Sequence, residues 1–583
     1  MEKWFLMTKA APFHEIADKF QIHPVLARII RNRDIVGDEA IDLYLNGTIA
    51  DLHDGMLMKD MDKAVDILIE KIHDKSHIRI IGDYDIDGIN ATFILLEGIK
   101  RLGGNVDIDI PDRMRDGYGL CRALVERAWA EGVDTIVTCD NGIAAAEEIE
   151  YGRSLGMTII VTDHHEVPMN EREEECIPPA DAVIDPKQKR CEYPFKELCG
   201  AAVAYKLMEA LYEVIGKDAE DLDYLIENVA IATIGDVMSL VDENRIFVKQ
   251  GLAMLRRTNN HGLKALMLCN NVLQESVDSY HIGFILGPCM NATGRLDTAK
   301  KSLELLCAPT WQEAVVLAEE LKNMNEHRKE MTLVAVEEAT DLLEKTGLKE
   351  DKVLVVYLPN CHESLAGIVA GRIKDAYHKP TIVLTKTEDE IKGSARSIEA
   401  YNMYYALHEN SALLKRFGGH KMAAGLSMEE DKIDLLRQSL NQGCKLKDED
   451  FIRKVSIDLL MPFRVVNEDF INELQILEPF GKGNAKPLFA EKNVEILSGR
   501  ILGNKQNVLK MQLADGEGTK MNAVLFGRVQ EFIRFLKAKY GEAQVSRMLG
   551  GQRTGITASF TYYPGTNEYM GRKMLQLVIQ NYQ

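Results

Sequence analysis

A chain of 583 residues, 46% apolar and 27% charged, is too long for one hydrophobic core and has the balance of an ordinary globular protein, so three or four domains are expected rather than disorder. Its net charge of −20 weighs against a binder that grips nucleic acid by bulk charge, although whole-chain charge says little about the field inside one cleft. No stretch is apolar for the roughly 18 residues of a membrane span, the start lacks a signal-peptide pattern, and ten cysteines without Cys-x-x-Cys spacing point to reduced thiols in a cytoplasmic chain.

The first residues, 1–50, carry helical periodicity at Leu26, Ile29 and Ile30 and predict a small helical extension. From 51 to 250 short β-branched strands alternate with helices: helix 62–72, strand 78–82, helix 91–102, strand 106–110, helix 124–131, strand 135–138, helix 144–155 and strand 158–162. This alternation predicts an α/β domain on a mostly parallel sheet. Residues 251–345 form a helical connector whose last part, from about Trp311 to Lys345, is one long helix. A second α/β domain is expected over 346–445 and an OB-type β-barrel over 446–583, where short strands surround one helix at 529–540. Acidic runs such as Glu171–Glu175 read as solvated loops.

The chemistry gathers at strand ends. Asp83, Asp85 and Asp87 follow the strand ending at Gly82, Asp140 follows the strand ending at Thr138, and Asp163-His164-His165 follows the strand ending at Thr162. Less clearly, Asp185 and Asp236 also follow apolar runs. In a parallel sheet these positions share one edge, where ligands bind. Carboxylates so gathered repel one another unless a cation lies among them. The mixed oxygen and nitrogen donor set suits Mn²⁺ or Mg²⁺ rather than a thiolate metal. Two such ions clamp the attacking and leaving oxygens of a phosphoryl displacement and lower the pKa of a bridging water. Adjacent residues in an extended segment face opposite ways, so His164 is expected as a ligand and His165 as a contact to substrate or to that water. Gly393-Ser394-Ala-Arg396-Ser and Phe417-Gly418-Gly419-His420 combine glycine backbone with Ser, Arg and His, and predict an anion pocket. Asn291-Ala-Thr-Gly-Arg295 is a weaker case of the same.

In order along the chain these motifs resemble the DHH phosphoesterase superfamily, and within it the long single-strand exonuclease branch. Gly82-Asp-Tyr-Asp-Ile-Asp-Gly88, Asp140-Asn-Gly142, Asp163-His-His165 and Ile234-Gly-Asp-Val-Met-Ser-Leu240 with Glu243-Asn-Arg245 are similar to four catalytic-domain motifs. Pro111 to Leu120, with Asp116-Gly-Tyr-Gly119, is a further match. Gly393–Ser397 and Phe417–Gly425 resemble the DHH-associated domain, and Leu477-Glu-Pro-Phe-Gly-Lys-Gly-Asn484 the entry to an OB-fold. The resemblance implies metal ligation by Asp85, Asp87, Asp140, His164 and Asp236, with Asp83 behind them, and catalytic roles for Asp163 and His165. It further implies a terminal-phosphate site of Arg113, Arg295, Ser394 and Arg396, with Gly418, Gly419 and His420 near the substrate. The implied activity is two-metal, 5′ to 3′ release of mononucleotides from single-stranded DNA in repair and recombination, with a helicase and a single-strand-binding protein as further partners. The chain departs from the family pattern at Cys289, where an arginine is usual, and at Cys361-His-Glu-Ser364. Two competing readings are an oligoribonuclease or nucleotide phosphatase of the same chemistry, and a non-catalytic replication scaffold. The residues beyond about 450 argue against the first, and the full set of expected ligands against the second.

Overall fold

A computed structural model describes residues 2–583 apart from 114, 118, 171, 389, 570 and 571. Tyr118 of the Asp116–Gly119 motif and Glu171 of the acidic run therefore lie outside the described residues. The chain divides into two compact units. The first holds 52–238 and 247–453, and the second holds 2–51, 239–246 and 454–583.

The first unit opens on five parallel strands, β1 (His77–Ile81), β2 (Asn105–Asp109), β3 (Thr135–Cys139), β4 (Thr158–Thr162) and β5 (Ala182–Ile184), in the order β2-β1-β3-β4-β5. β3 and β4 are almost wholly buried, as β-branched strands covered on both faces must be. The strand order reverses between β1 and β3, and a crevice outside their carboxyl ends follows from that reversal. Three helices supply the rest of the site: α1 (Ile86–Arg101), α2 (Gly200–Val214) and α3 (Ile226–Gly235).

The apolar run 231–234, expected to precede Asp236 as a strand would, is instead the end of α3, buried on nearly every side. A short apolar run reads the same in a buried helix as in a buried strand. Helix α4 (Gly287–Leu296) contains the Asn291–Arg295 motif, so its backbone N–H groups are spent within the helix and only side chains reach outward. Helix α5 (Trp311–Thr346) runs 36 residues from its Thr310 cap, whose hydroxyl accepts from Glu313 N, and buries one stripe through Ala314, Ala318 and Leu321 to Ala339 and Leu343. That last part packs on the second sheet and on helix α6 (Ala366–Tyr377).

The second sheet contains β6 (Leu354–Tyr357), β7 (Thr381–Lys386), β8 (Ile391–Arg396), β9 (Leu414–Gly419) and β10 (Ala423–Met428), in the order β9-β10-β8-β7-β6. Both glycine-bearing segments from which an anion pocket is expected are mainly strands. Their glycines pair across the ladder, with Gly418 opposite Gly425 and Gly425 opposite Ser394.

In the second unit the long strand Phe489–Leu502 pairs with Val508–Ala514 on one side and Thr557–Tyr569 on the other, while Lys520–Phe526 and Arg572–Tyr582 complete the circuit. A closed barrel of this kind has the form of an OB-fold. The N-terminal segment is no separate extension: Leu26, Ile29 and Ile30 lie in one core with Phe489, Phe532 and Phe560. Arg33 fixes it with a buried fork to Asp458, at 2.7 and 3.1 Å. Arg245, 2% exposed, donates to the carbonyls of Tyr44 (2.8 Å), Leu477 (3.1 Å) and Glu478 (2.9 Å), and lies 3.8 Å over the Tyr44 ring.

Candidate metal centre

Each acidic group is aimed by its local backbone. Asp85 caps α1, its Oδ1 accepting from Asp87 N at 2.9 Å and Gly88 N at 3.1 Å. Asp87, in the first turn of α1, accepts from Gly200 N and Ala201 N, both at 2.7 Å, so the N-terminus of α2 holds a carboxylate. Asp140 has φ +59°, a conformation uncommon outside glycine that positions the side chain above the strand end. Asn141 donates to the carbonyls of Ile81 and Cys139 and ties β1 to β3 beneath the site. Asp236 follows α3, its N–H bonded to Ala232 O at 2.8 Å, and Val237 after it takes φ +57°.

These groups converge. His164 Nε2 lies 3.0 Å from Asp140 Oδ1, 3.5 Å from Asp87 Oδ2 and 3.9 Å from Asp236 Oδ2. Three triads each bring one ligand atom per residue within 4.8 Å of the others: Asp140, His164 and His165; Asp87, His164 and Asp236; and Asp83, Asp85 and Asp140. Asp83, expected behind the ligands, therefore stands among candidate donors. The two histidines do not point apart. The segment bends after β4 ends, so the alternation of an extended strand does not apply, and their ring centres are 4.5 Å apart.

Electrostatics define the donor states. Burial, then repulsion from neighbouring carboxylates, pushes Asp83, Asp87 and Asp140 well above the usual carboxylate range. Asp83 Oδ1 is buried with no hydrogen-bond partner. An orphaned carboxylate oxygen among mutually repelling acids is the environment that a hard divalent cation satisfies, so the residues fit two Mn²⁺ or Mg²⁺ ions. Burial and the charge of His165 lower His164 to about 3, the neutral imidazole that a ligand must be. For His165 burial alone would act downward, but the Asp163 bond and charge push it up to about 9. Burial would raise Asp163, yet His165 and the Ile143 N–H hold it below its usual range. Its oxygens accept from His165 Nδ1 (2.7 Å), His164 N (2.7 Å) and Ile143 N (2.9 Å). Asp163 thus meets the cluster through its bonds to His164 and His165.

Beside the acids lies a cavity of about 440 Å³, with Tyr84, Arg113, Arg295, Ser394 and Arg396 in its wall. Tyr84 is the residue between Asp83 and Asp85, and the Arg113 guanidinium stands 5.1 Å from its ring centre. Arg295 donates to Ser364 O at 2.9 Å, and Arg396 to Ala395 O at 2.8 Å and Ser394 Oγ at 3.2 Å. Burial, then Arg113 and Arg328, lower Arg295 to about 10, and burial and Arg113 lower Arg396. Three like-charged groups facing one hollow make it a candidate anion site. Gly418, Gly419 and His420 are not among its lining residues. His420 is exposed, its Nδ1 accepting from Met422 N.

Gly200 contributes although no motif singles it out, and Asn291, Ser364 and Cys289 contribute in ways other than those for which their stretches stand out in the sequence. Gly200 comes so close to Asp140 that an added Cβ would stand 2.7 Å from the Asp140 Cβ. Asn291 Oδ1 accepts from Ile86 N at 2.9 Å and docks α4 on the start of α1. Ser364, in one of the departures from the family pattern, supplies the carbonyl that holds Arg295. Cys289, the other departure, is buried, with Asn325 Nδ2 at 3.3 Å from its sulfur.

Three stretches match described families: residues 77–234 the DHH family N-terminal domain, 350–446 the DHHA1 domain and 457–581 the RecJ OB domain. The chain is 34% identical over 570 residues to the single-stranded-DNA-specific exonuclease RecJ of Bacillus subtilis, covering 97% of this chain and 69% of that one. It is 32% identical over 583 residues to the protein of the same name from Escherichia coli, covering 96% of each. The crystal structure of RecJ in complex with Mn²⁺ from Thermus thermophilus superposes with a TM-score of 0.82 at 26% identity, covering all of this chain and 79% of that one.

Proposed function

The chain belongs to the RecJ family, and from that premise we propose that it removes mononucleotides from the 5′ end of single-stranded DNA by two-metal hydrolysis. The observation that carries this reading is the placement of a three-arginine cavity against a convergent Asp/His cluster, with Tyr84 lining the one between two acids of the other. Asp83, Asp85, Asp87, Asp140, His164 and Asp236 would hold the cations. Bound there, two divalent ions supply Lewis-acid stabilisation of the phosphoryl oxygens and a nucleophile at neutral pH.

The chain's own residues divide the remaining tasks. Arg113, Arg295, Arg396 and Ser394 bind the terminal phosphate, which places the next phosphate of the strand beside the acids. His165, oriented by its 2.7 Å bond to Asp163, turns its other ring nitrogen to the scissile phosphate and stabilises charge building there. Neutral His164 serves as a donor atom. A cavity of this size admits one strand, and the OB-type barrel supplies stacking and backbone contacts to further nucleotides. The ten cysteines are all unpaired, in keeping with work in a reducing cytoplasm. A helicase and a single-strand-binding protein, which generate and present single strands, are the partners this activity calls for.

Digestion of 5′- and 3′-end-labelled oligonucleotides, single- and double-stranded, with Mn²⁺, Mg²⁺ or chelator tests the proposal. Mononucleotides released from the 5′ end of single strands only, and only with metal, are expected. Preference for di- to pentaribonucleotides over long single-stranded DNA would replace it with the oligoribonuclease reading.

A further inference from the structure

Two of the helices that carry candidate metal ligands also line a second, separate cavity at their opposite ends. α1 begins at the Asp85 cap and ends at Arg101, while α3 ends before Asp236 and has Glu227 in its first turn. A buried bond from Asn228 Nδ2 to Asn90 Oδ1, 2.9 Å, joins the two helices along the way. The cavity measures about 730 Å³, within the range of small-ligand clefts.

Its floor is Glu227, 5% exposed. The hydrogen bond made by this carboxyl comes from Thr258 Oγ1 to Oε1 at 2.7 Å, and burial pushes its pKa up to about 7 with no cation opposing. A carboxyl so buried calls for donors. Phe93, Met254 and Leu306 give apolar wall, and two arginines stand at the mouth: Arg101, its guanidinium 4.3 Å from the Tyr224 ring centre and its Nε 3.9 Å from Glu97 Oε2, and exposed Arg257. The carboxylates of Glu97 and Asp223 also line the cavity, so a bound phosphate must compete with Glu97 for Arg101. An acceptor pair within an apolar recess, with cations at the rim, selects a flat base with two adjacent N–H donors and an attached anion. Guanine offers N1–H beside N2–H₂ and can satisfy a carboxylate with two parallel bonds. Adenine and cytosine set a lone pair beside their amino group and leave one oxygen of the ionised carboxylate opposed by another acceptor. They suit only the protonated carboxyl, so the preference for guanine holds above the raised pKa of Glu227.

We propose that this cavity binds a guanine nucleotide, with the base edge on Glu227 and the phosphate at Arg101 and Arg257, and that its occupancy is coupled to cation binding through α1 and α3. The coupling is reciprocal by linkage.

Calorimetric titration of the full chain with GMP, AMP, CMP and guanosine, with and without Mn²⁺, tests this without any cleavage step, so failure of the nuclease reading leaves it untouched. GMP is expected to bind at least tenfold more tightly than AMP or CMP. Glu227→Gln should weaken GMP at least tenfold, whereas Arg396→Ala, in the other cavity, should leave this site's affinity within twofold. Arg257→Glu, which removes no buried atom, should weaken GMP but not guanosine. GMP binding that is absent, that is no tighter than AMP, or that survives both Glu227→Gln and Arg257→Glu overturns the site. Equal Mn²⁺ affinity with and without GMP overturns the coupling.

Discussion

Gly200→Ala is a test of the metal centre that removes no candidate ligand. The added methyl carbon would stand 2.7 Å from Asp140 Cβ and 3.0 Å from its Cα and Cγ, where ordinary contact begins at 3.4 Å. Either Asp140 or the first turn of α2 must retreat by about 0.7 Å, and that turn also donates two 2.7 Å bonds to Asp87. Overpacking of a dense site costs about 1–3 kcal/mol of stability, and misplacement of a reacting group by about 1 Å can cost about a hundredfold in rate. We expect kcat on 5′-labelled single-stranded DNA with Mn²⁺ to fall between tenfold and a hundredfold, with Tm lowered by a few degrees and strand binding, read by fluorescence anisotropy, nearly unchanged. A folded variant with kcat within threefold of the parent would refute the claim that Gly200 sets the position of Asp140.

Asp140→Ala should lower cleavage by at least about a thousandfold while single-strand binding stays within threefold, because two of the three triads lose a member; Mn²⁺-dependent turnover in this variant would show the ligand set to be misassigned. Asp83, Asp87 and Asp140 are held above the ordinary carboxyl value of 3.8 in the folded chain, so their stabilising contribution is complete below that value and is lost as pH rises through the raised folded values. Differential scanning calorimetry should therefore show the Tm increment from Mn²⁺ growing from pH 5 to pH 8, and an increment that does not change with pH counts against metal binding at these acids. Arg396→Ala should lower kcat/KM about tenfold on 5′-phosphorylated strands and little on 5′-hydroxyl strands; indifference of the parent protein to the 5′ group would remove that role. Arg245→Ala removes the guanidinium donor from the buried carbonyl of Tyr44 and from the part-buried carbonyls of Ile476 and Glu478, while Leu477 O keeps Asn484 Nδ2 and the Tyr44 hydroxyl. The substitution should cost about 3 kcal/mol in chemical denaturation, whereas a loss below about 1 kcal/mol would mean that solvent replaces the guanidinium.

The legible parts of the fold were those written in local periodicity. β-branched runs followed by acids placed Asp83, Asp85, Asp87, Asp140 and Asp163 at strand ends, and the α5 helix was readable to within one residue. Asp236 could be picked out but not its setting, because Ile231-Ala-Thr-Ile234 has the same composition whether it is helical or extended. The glycine-rich segments carried no shape of their own, since glycine marks close backbone approach in a strand as readily as in a loop. What stayed hidden was non-local. Gly200 matters because of Asp87 and Asp140, both distant in sequence, and Asn291 matters because it meets Ile86. The helical pattern of the first fifty residues was visible, whereas their shared core with the barrel depends on partners more than four hundred positions away.

The eight residues 239–246 belong to the second unit although they lie between two long stretches of the first. Arg245, within this insert, clasps Tyr44 from one end of the chain and Leu477 and Glu478 from near the other. The barrel-bearing unit is therefore assembled from three pieces of the primary sequence, and no single scission liberates it whole. During synthesis its clasp emerges more than two hundred residues before the carbonyls of 477 and 478 exist, so the barrel-bearing unit cannot close until both stretches of the first unit have been made. A gene fusion that borrowed only the terminal segment would inherit strands without the arginine that secures their approach.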